Sequence, residues 1–364
     1  MIFNIAGRFI HDTFRLGDEN LEPVQSFCYL GVDIKCSGTA KHSMNVLNDK
    51  GNKALRPLLS VIARFNIPVK TSINIFHTYI SPILLYNTEN WSTLNDKELL
   101  KIDQDFLFSN TSSSKIDRTH RNFLKFVLGV SKSCPSLAIY GETGEVPLSL
   151  KSYRLTLNFW HKVTNLPDTS LAKKALLENI DLRTNWIKTI EKLINTFNLA
   201  NKIGNHKKLK KNTKYALEDN FQKWWTNSLD DPTLTRLCFY KKLKSEFDIE
   251  KYLEISRYQQ RRLIAKLRCS DHVLEIEKGR HKGTPSHERI CTLCHVQIED
   301  EEHFLLRCNL YNSLRLKYRF EHLDDAKCFF MDKNTNALGQ FLNEAFKMRE
   351  DTLKSFNNNL IIIS

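Results

Sequence analysis

The period of the hydrophobic positions changes near residue 37. Before it, short runs such as Ile2-Phe3-Asn4-Ile5 and Thr13-Phe14-Arg15-Leu16 carry strand-type residues. Gly7 and Gly17-Asp18-Glu19-Asn20 supply the turns between them. After Pro23 a longer strand is expected from Gln25 to Lys35, with Phe27 and Tyr29 alternating with Cys28 and Leu30. Two or three such strands cannot build a core alone and require a partner sheet. From Ser37 the period is helical. Met44, Leu47, Ala54, Leu55, Leu58, Leu59 and Ile62 trace one face, interrupted at Gly51 and Pro57. Pro68 opens a second helix through Ile73, Phe76, Ile80 and Leu84, with a kink expected at Pro82. Asp96 caps a third, with Leu99, Ile102 and Phe106 inward.

Residues 109–115 read as a polar linker, and Arg118–Leu128 as a short basic amphipathic helix stopped by Gly129. Helices follow near 148–165, 169–180, 183–200, 214–229 and 250–268, with Trp186, Ile190, Leu193, Ile194 and Phe197 forming one stripe. Trp224 and Trp225 face different ways on a helix, which favours core packing of at least one over a stacking platform. The fold expected is mainly α, with short N-terminal β-strands. Its segments are strands over 1–36, a helical domain over 37–130, a second helical domain over 131–285, a small Cys/His module over 286–314 and a helical tail over 315–364.

The chain of 364 residues is long enough for two or three domains, and its scarcity of glycine and proline favours helix. Nine cysteines, an odd number without regular spacing, argue against a disulfide framework and for a reducing, intracellular compartment, nucleus or cytoplasm. No signal-peptide pattern and no apolar run of membrane-spanning length is present. The terminal Leu360-Ile-Ile-Ile363 reads as an element cut short. A formal charge of +13 suggests an acidic partner, nucleic acid first.

Chemistry concentrates at residues 290–308. Cys291, Cys294, His303 and Cys308 are spaced C-x2-C-x8-H-x4-C, a ligand set suited to tetrahedral structural Zn²⁺. His295 cannot share the site with Cys294, because adjacent side chains point apart. The acidic run Glu299-Asp300-Glu301-Glu302 would repel phosphate and suits the first turn of a short helix carrying His303 and Cys308, with Leu305 and Leu306 packed inward. The zinc is therefore expected as a clamp and not as the contact surface. Contact with RNA or DNA backbone is expected from basic segments: Lys207, Lys208, Lys210 and Lys211; Arg257, Arg261, Arg262, Lys266 and Arg268 on one helix; and Arg280 and Lys282.

Several segments, in order, resemble the post-palm part of non-LTR (LINE-like, jockey-type) retrotransposon reverse transcriptases. They are Ser26-Phe-Cys-Tyr-Leu-Gly-Val-Asp-Ile34, Phe76-His-Thr-Tyr-Ile-Ser-Pro-Ile-Leu-Leu-Tyr86 with Glu89-Asn90-Trp91, Phe123–Val130, and the region from Leu274 through the Cys/His cluster. Asn87 stands where that family usually has glycine. The resemblance implies a palm-edge remnant, a helical thumb and a zinc-knuckle-like module. It also implies an upstream Tyr/Phe-x-Asp-Asp that holds Mg²⁺ for RNA-directed DNA synthesis.

Only 28 residues precede Tyr29 and none is an Asp-Asp pair, so Met1 reads as an internal methionine of a longer ancestral frame. Asp230-Asp231 and Asp324-Asp325 lack the apolar strands that would present them, so no catalytic residue, no Mg²⁺ site and no activity of the chain alone are expected. Ser270-Asp271-His272 resembles the end of these elements' endonuclease but has no scaffold for that chemistry. The functional expectation is a catalytically incomplete fragment that binds RNA or DNA without sequence preference, with a palm-bearing segment as a further candidate partner. The alternatives are a zinc-stabilised helical scaffold for protein contacts and a non-functional retroelement remnant.

Overall fold

The computed structural model describes residues 14–37, 40–91, 108, 115–199, 209–255, 257–331 and 334–363. Ile2–Ile5, the helix expected after Asp96 and nearly all of the 109–115 linker lie outside the described residues. The described chain is mainly helical, with two short two-stranded sheets near its N-terminus. The first sheet pairs β1 (Phe14–Leu16) with β2 (Glu19–Leu21), and the second pairs β3 (Ser26–Tyr29) with β4 (Val32–Lys35), both antiparallel. The expected single strand from Gln25 to Lys35 is thus a hairpin. Leu30 and Gly31 take φ +47° and +81°, which reverses the chain where alternation alone predicts continuity.

Helix α1 (Ala40–Phe65) runs through both expected interruptions. Gly51 is buried, and a Cβ there would lie 2.4 Å from Leu84 Cδ2, so glycine admits close packing instead of ending the helix. Helix α2 (Val69–Ile75) continues into a π-helical turn, Phe76–Ile80, before α3 (Ser81–Leu84) restarts with Pro82 in its first turn. The expected kink is this wider turn, since proline cannot donate to the preceding ladder. Next come α4 (Thr88–Trp91), α5 (Lys115–Leu128), α6 (Ser136–Thr143), α7 (Leu148–Thr164), α8 (Leu171–Asp181), α9 (Asn185–Thr196) and α10 (Leu209–Asp230). They are followed by α11 (Cys238–Leu243), α12 (Tyr258–Arg268), α13 (Glu275–Lys282), α14 (Asn312–Lys317) and α15 (Thr335–Ile363). The helix expected over 250–268 is a 3-10 turn at Lys251–Glu254 followed by α12.

Contacts divide the chain into two units, neither continuous in sequence. One comprises residues 1–61, 74–121 and 146–225; the other comprises 62–73, 122–145 and 226–364. In the first, Val163, Leu176 and Ile187 of α7, α8 and α9 meet in a core closed by Phe159, Trp160, Leu166 and Trp186. Phe108, Phe197, Phe221 and Trp224 form an aromatic cluster beside fully buried Trp225, so neither tryptophan is a free stacking platform. In the second, α15 is central. Leu338, Phe341, Leu342 and Ala345 are fully buried, and Gly339 lets α15 approach Gln260 of α12. No helix among the described residues is long and apolar enough to cross a membrane.

Candidate metal centre

Residues 289–299 form a tight knuckle. Glu299 N donates to Arg289 O at 2.9 Å, and Cys291 N donates to Gln297 O at 2.8 Å. The reversal closes with His295 N donating to Cys291 O at 2.9 Å, His295 itself taking φ +56°. Past the knuckle, Asp300 Oδ1 accepts from His303 N at 2.6 Å and starts a π-helical turn, His303–Arg307. Cys308 N then donates to His303 O at 2.8 Å, which brings both side chains to the knuckle. The short helix expected here is this wider turn. Leu305 is fully buried as expected, whereas Leu306 is half-buried.

Cys291, Cys294, His303 and Cys308 present ligand atoms that all lie within 4.8 Å of one another, and together they can hold a metal ion. Cys294 Sγ lies 3.3 Å from His303 Nε2. Gln297 Oε1 lies 3.3 Å from His303 Nδ1, where it orients the ring so that Nε2 faces the thiols. A hydrogen bond with Cys308, and then burial, pushes the Cys291 thiol up to about 12, while the same bond holds Cys308 below the usual thiol range. Such a thiol pair gives up its shared proton when a divalent ion binds.

Each carboxylate of the acidic run has its own partner. Glu299 is buried and bidentate with Arg349 of α15, at 2.9 and 2.6 Å. Glu301 meets His272 Nε2 at 2.9 Å, and Glu302 pairs with Lys242 and Arg307. From α14, Arg315 donates to the carbonyls of Cys308 and Leu305 at 2.6 and 3.2 Å. This shell of Arg349, Arg315, His272 and Lys242 was invisible to motif reading, because Arg349 lies 50 positions from Glu299. Asp271 accepts from Ser131 N at 2.7 Å, so Ser270-Asp271-His272 is joinery between segments.

Two of the basic residues expected on a phosphate-binding face are instead inside. Arg268 is 3% exposed and bound to Glu142 through Nη2 at 2.9 Å and through Nε. Arg261, also 3% exposed, donates to Ile255 O and Asn66 Oδ1. Their helix buries one face, and a lysine or arginine stripe read from sequence cannot separate the buried arginines from the solvated ones. Arg280 is half-buried and paired with Glu277 at 3.0 Å. Arg257 and Lys282 are exposed, Arg262 and Lys266 half-exposed, and Lys211 is exposed over the Tyr215 ring. Lys207, Lys208 and the side chain of Lys210 lie outside the described residues. Of the two Asp-Asp pairs, Asp231 accepts from Thr233 N and Asp325 from Lys327 N, both at 2.8 Å, so each pair serves a local turn. Comparison with family models, curated proteins and solved structures returns no match to this chain.

Proposed function

We propose that the chain is a post-palm fragment of a non-LTR reverse transcriptase, without polymerase activity of its own, which holds RNA or DNA backbone beside a structural zinc site. Its working compartment is the nucleus or cytoplasm. In this reading α1 to α5 form the thumb-like part, and residues 286–314 the zinc-knuckle-like module. Zinc suits the donor set. Tetrahedral bonds of about 2.3 Å to sulfur and 2.0 Å to nitrogen separate ligand atoms by roughly 3.5–3.8 Å, compatible with a cluster spanning 4.8 Å. The ion would neutralise thiolates and tie the knuckle to the His303 turn.

One observation carries the binding reading. Arg262 and Lys266 sit four apart on α12, a like-charge pair that costs helix stability unless an anion lies against it. Burial, then Arg262, pulls the Lys266 ammonium below its ordinary range, with Asp271 acting in the opposite direction. A phosphate backbone supplies the missing negative charge. Arg257 on the preceding segment and Lys282 on α13 extend the positive surface of this unit. Polarisation titrations with labelled single-stranded RNA test the reading: Arg262→Glu with Lys266→Glu should weaken binding at least ten-fold, and unchanged affinity would count against it. The apolar face of β1 and β2, with Phe14, Leu16 and Leu21 exposed, favours a protein contact in addition, for which a palm-bearing segment is the candidate.

A further inference from the structure

Within the second unit, the solvent side of α12 carries an aromatic ring in line with its cations. Tyr258, Arg262 and Lys266 follow one another at four-residue steps, so they form one row with about 6 Å of rise per step. Tyr258 is 40% exposed, and Arg262 and Lys266 are half-buried. The ring is fixed in place. Buried Arg261 sets its Cζ 5.7 Å from the Tyr258 ring centroid, on the inner face of the ring. Gly129, at φ +71°, lies against the phenol and the Arg262 stem; a Cβ there would stand 2.9 Å from Tyr258 Oη and 2.7 Å from Arg262 Cγ. Arg262 Nε donates to Gly129 O at 3.0 Å, a contact that holds the guanidinium and brings no negative charge.

Two more exposed rings adjoin this row. Phe126 is linked to it through Gly129, whose N–H donates to Phe126 O at 3.0 Å. Phe65 precedes Asn66, whose Oδ1 accepts from Arg261 Nη2 at 3.2 Å, and Arg64 Cζ lies 5.5 Å from the Phe65 ring centroid. Among the described residues of this unit, Phe356 is the other exposed aromatic ring, so three of four gather around the basic helix. Single exposed apolar side chains are ordinary, whereas rings grouped among cations mark a contact face. Stacking needs only a ring face and accepts any base, while arginine and lysine take the phosphates. A duplex keeps its base faces inside its own stack and offers phosphates alone. An acidic protein would engage the cations and leave the rings idle.

We infer that this face is a track for unpaired strands of RNA or DNA, in which Tyr258, with Phe126 and Phe65 adjoining, stacks bases and Arg262 and Lys266 hold the neighbouring phosphates. The inference rests on the nucleic-acid reading above and adds to it a selectivity for single strands. Its test uses the full chain, a short labelled oligouridine and a duplex of the same length. Tyr258→Ala should weaken oligouridine binding about ten-fold, as loss of one stacked base does, and spare duplex binding. Its salt slope should match wild type, because stacking releases no counterions, and Tyr258→Trp should restore affinity. Arg262→Gln should instead lower the slope by about 0.7, and Arg262→Lys should bring it back. Thiouridine photocrosslinking of the unmodified chain should label Tyr258, Phe126 or Phe65, a readout independent of variant folding.

A Tyr258→Ala chain that binds oligouridine like wild type, while Arg262→Glu with Lys266→Glu loses affinity, would overturn the stacking track and leave the general reading standing. Crosslinks confined to other segments would overturn it equally. Displacement of oligouridine by polyglutamate as readily as by unlabelled oligouridine would assign the face to an acidic protein instead. A wild-type chain that binds no oligonucleotide at all would defeat both ideas.

Discussion

Asn87 holds φ +54°, in the left-handed region that glycine tolerates best and asparagine next. The departure from the glycine of the resembled pattern therefore preserves the backbone, and Asn90 Nδ2 donates to the Asn87 side chain across the turn. Asn87→Gly should leave stability nearly unchanged, whereas Asn87→Val should lower it by about 1–2 kcal/mol in urea unfolding; an unaffected valine variant would contradict this. Arg268 teaches the opposite lesson. It ties α12 to Glu142 of α6 and to Glu250, while Tyr252 OH donates to the same Glu142 carboxylate. Arg268→Met alone should cost roughly 3–5 kcal/mol, because it strands a buried carboxylate, and adding Glu142→Gln should recover part of the loss. Equal stability of wild type and the Arg268 variant would refute that role. Nothing local in the sequence marks Arg268 as a buried partner 126 positions from Glu142, and its helical spacing alone places it with the solvated cations.

Among the elements, α1 shows how context overrides propensity. Glycine to alanine in a helix ordinarily gains about 1 kcal/mol. At Gly51 the new methyl would press on both Cδ2 and Cγ of Leu84, at 2.4 and 2.9 Å, and Leu84 is fully buried. Overpacking of this kind costs about 1–3 kcal/mol, so Gly51→Ala should be destabilising, and a raised melting temperature would show the packing argument to be wrong. The helical period and the Cys/His spacing were legible because each is local to a few turns. The Leu30-Gly31 reversal and the π-helical turns at Phe76–Ile80 and His303–Arg307 were not, because they depend on φ angles and on contacts that hydrophobic alternation does not encode. At the metal centre, Cys294→Ser should abolish binding of about one zinc per chain, since a structural site uses all four ligands. Hydrogen exchange should then quicken across 289–308, while β1 to β4 exchange as before. Retention of zinc by the serine variant would remove Cys294 from the ligand set.

At the scale of the whole molecule, 54 basic residues stand against 41 acidic ones, and the second unit pairs the carboxylates of its clamp with cations of its own. There, Glu299, Glu301 and Glu302 are each matched by Arg349, His272, or Lys242 with Arg307. In the proposed reading, the positive charge offered to a polyanion lies on helix faces such as those of Arg262, Lys266 and Lys282. Zinc in this account keeps those faces in place and does not touch the polyanion. The most direct test is a salt series of single-stranded RNA binding by the full chain. The account predicts a dissociation constant in the ~10⁻⁴–10⁻⁶ M range near physiological salt, with log affinity falling by about 0.7 per phosphate contact for each unit of log salt. Affinity indifferent to salt, or weaker than about 100 µM under those conditions, would contradict it.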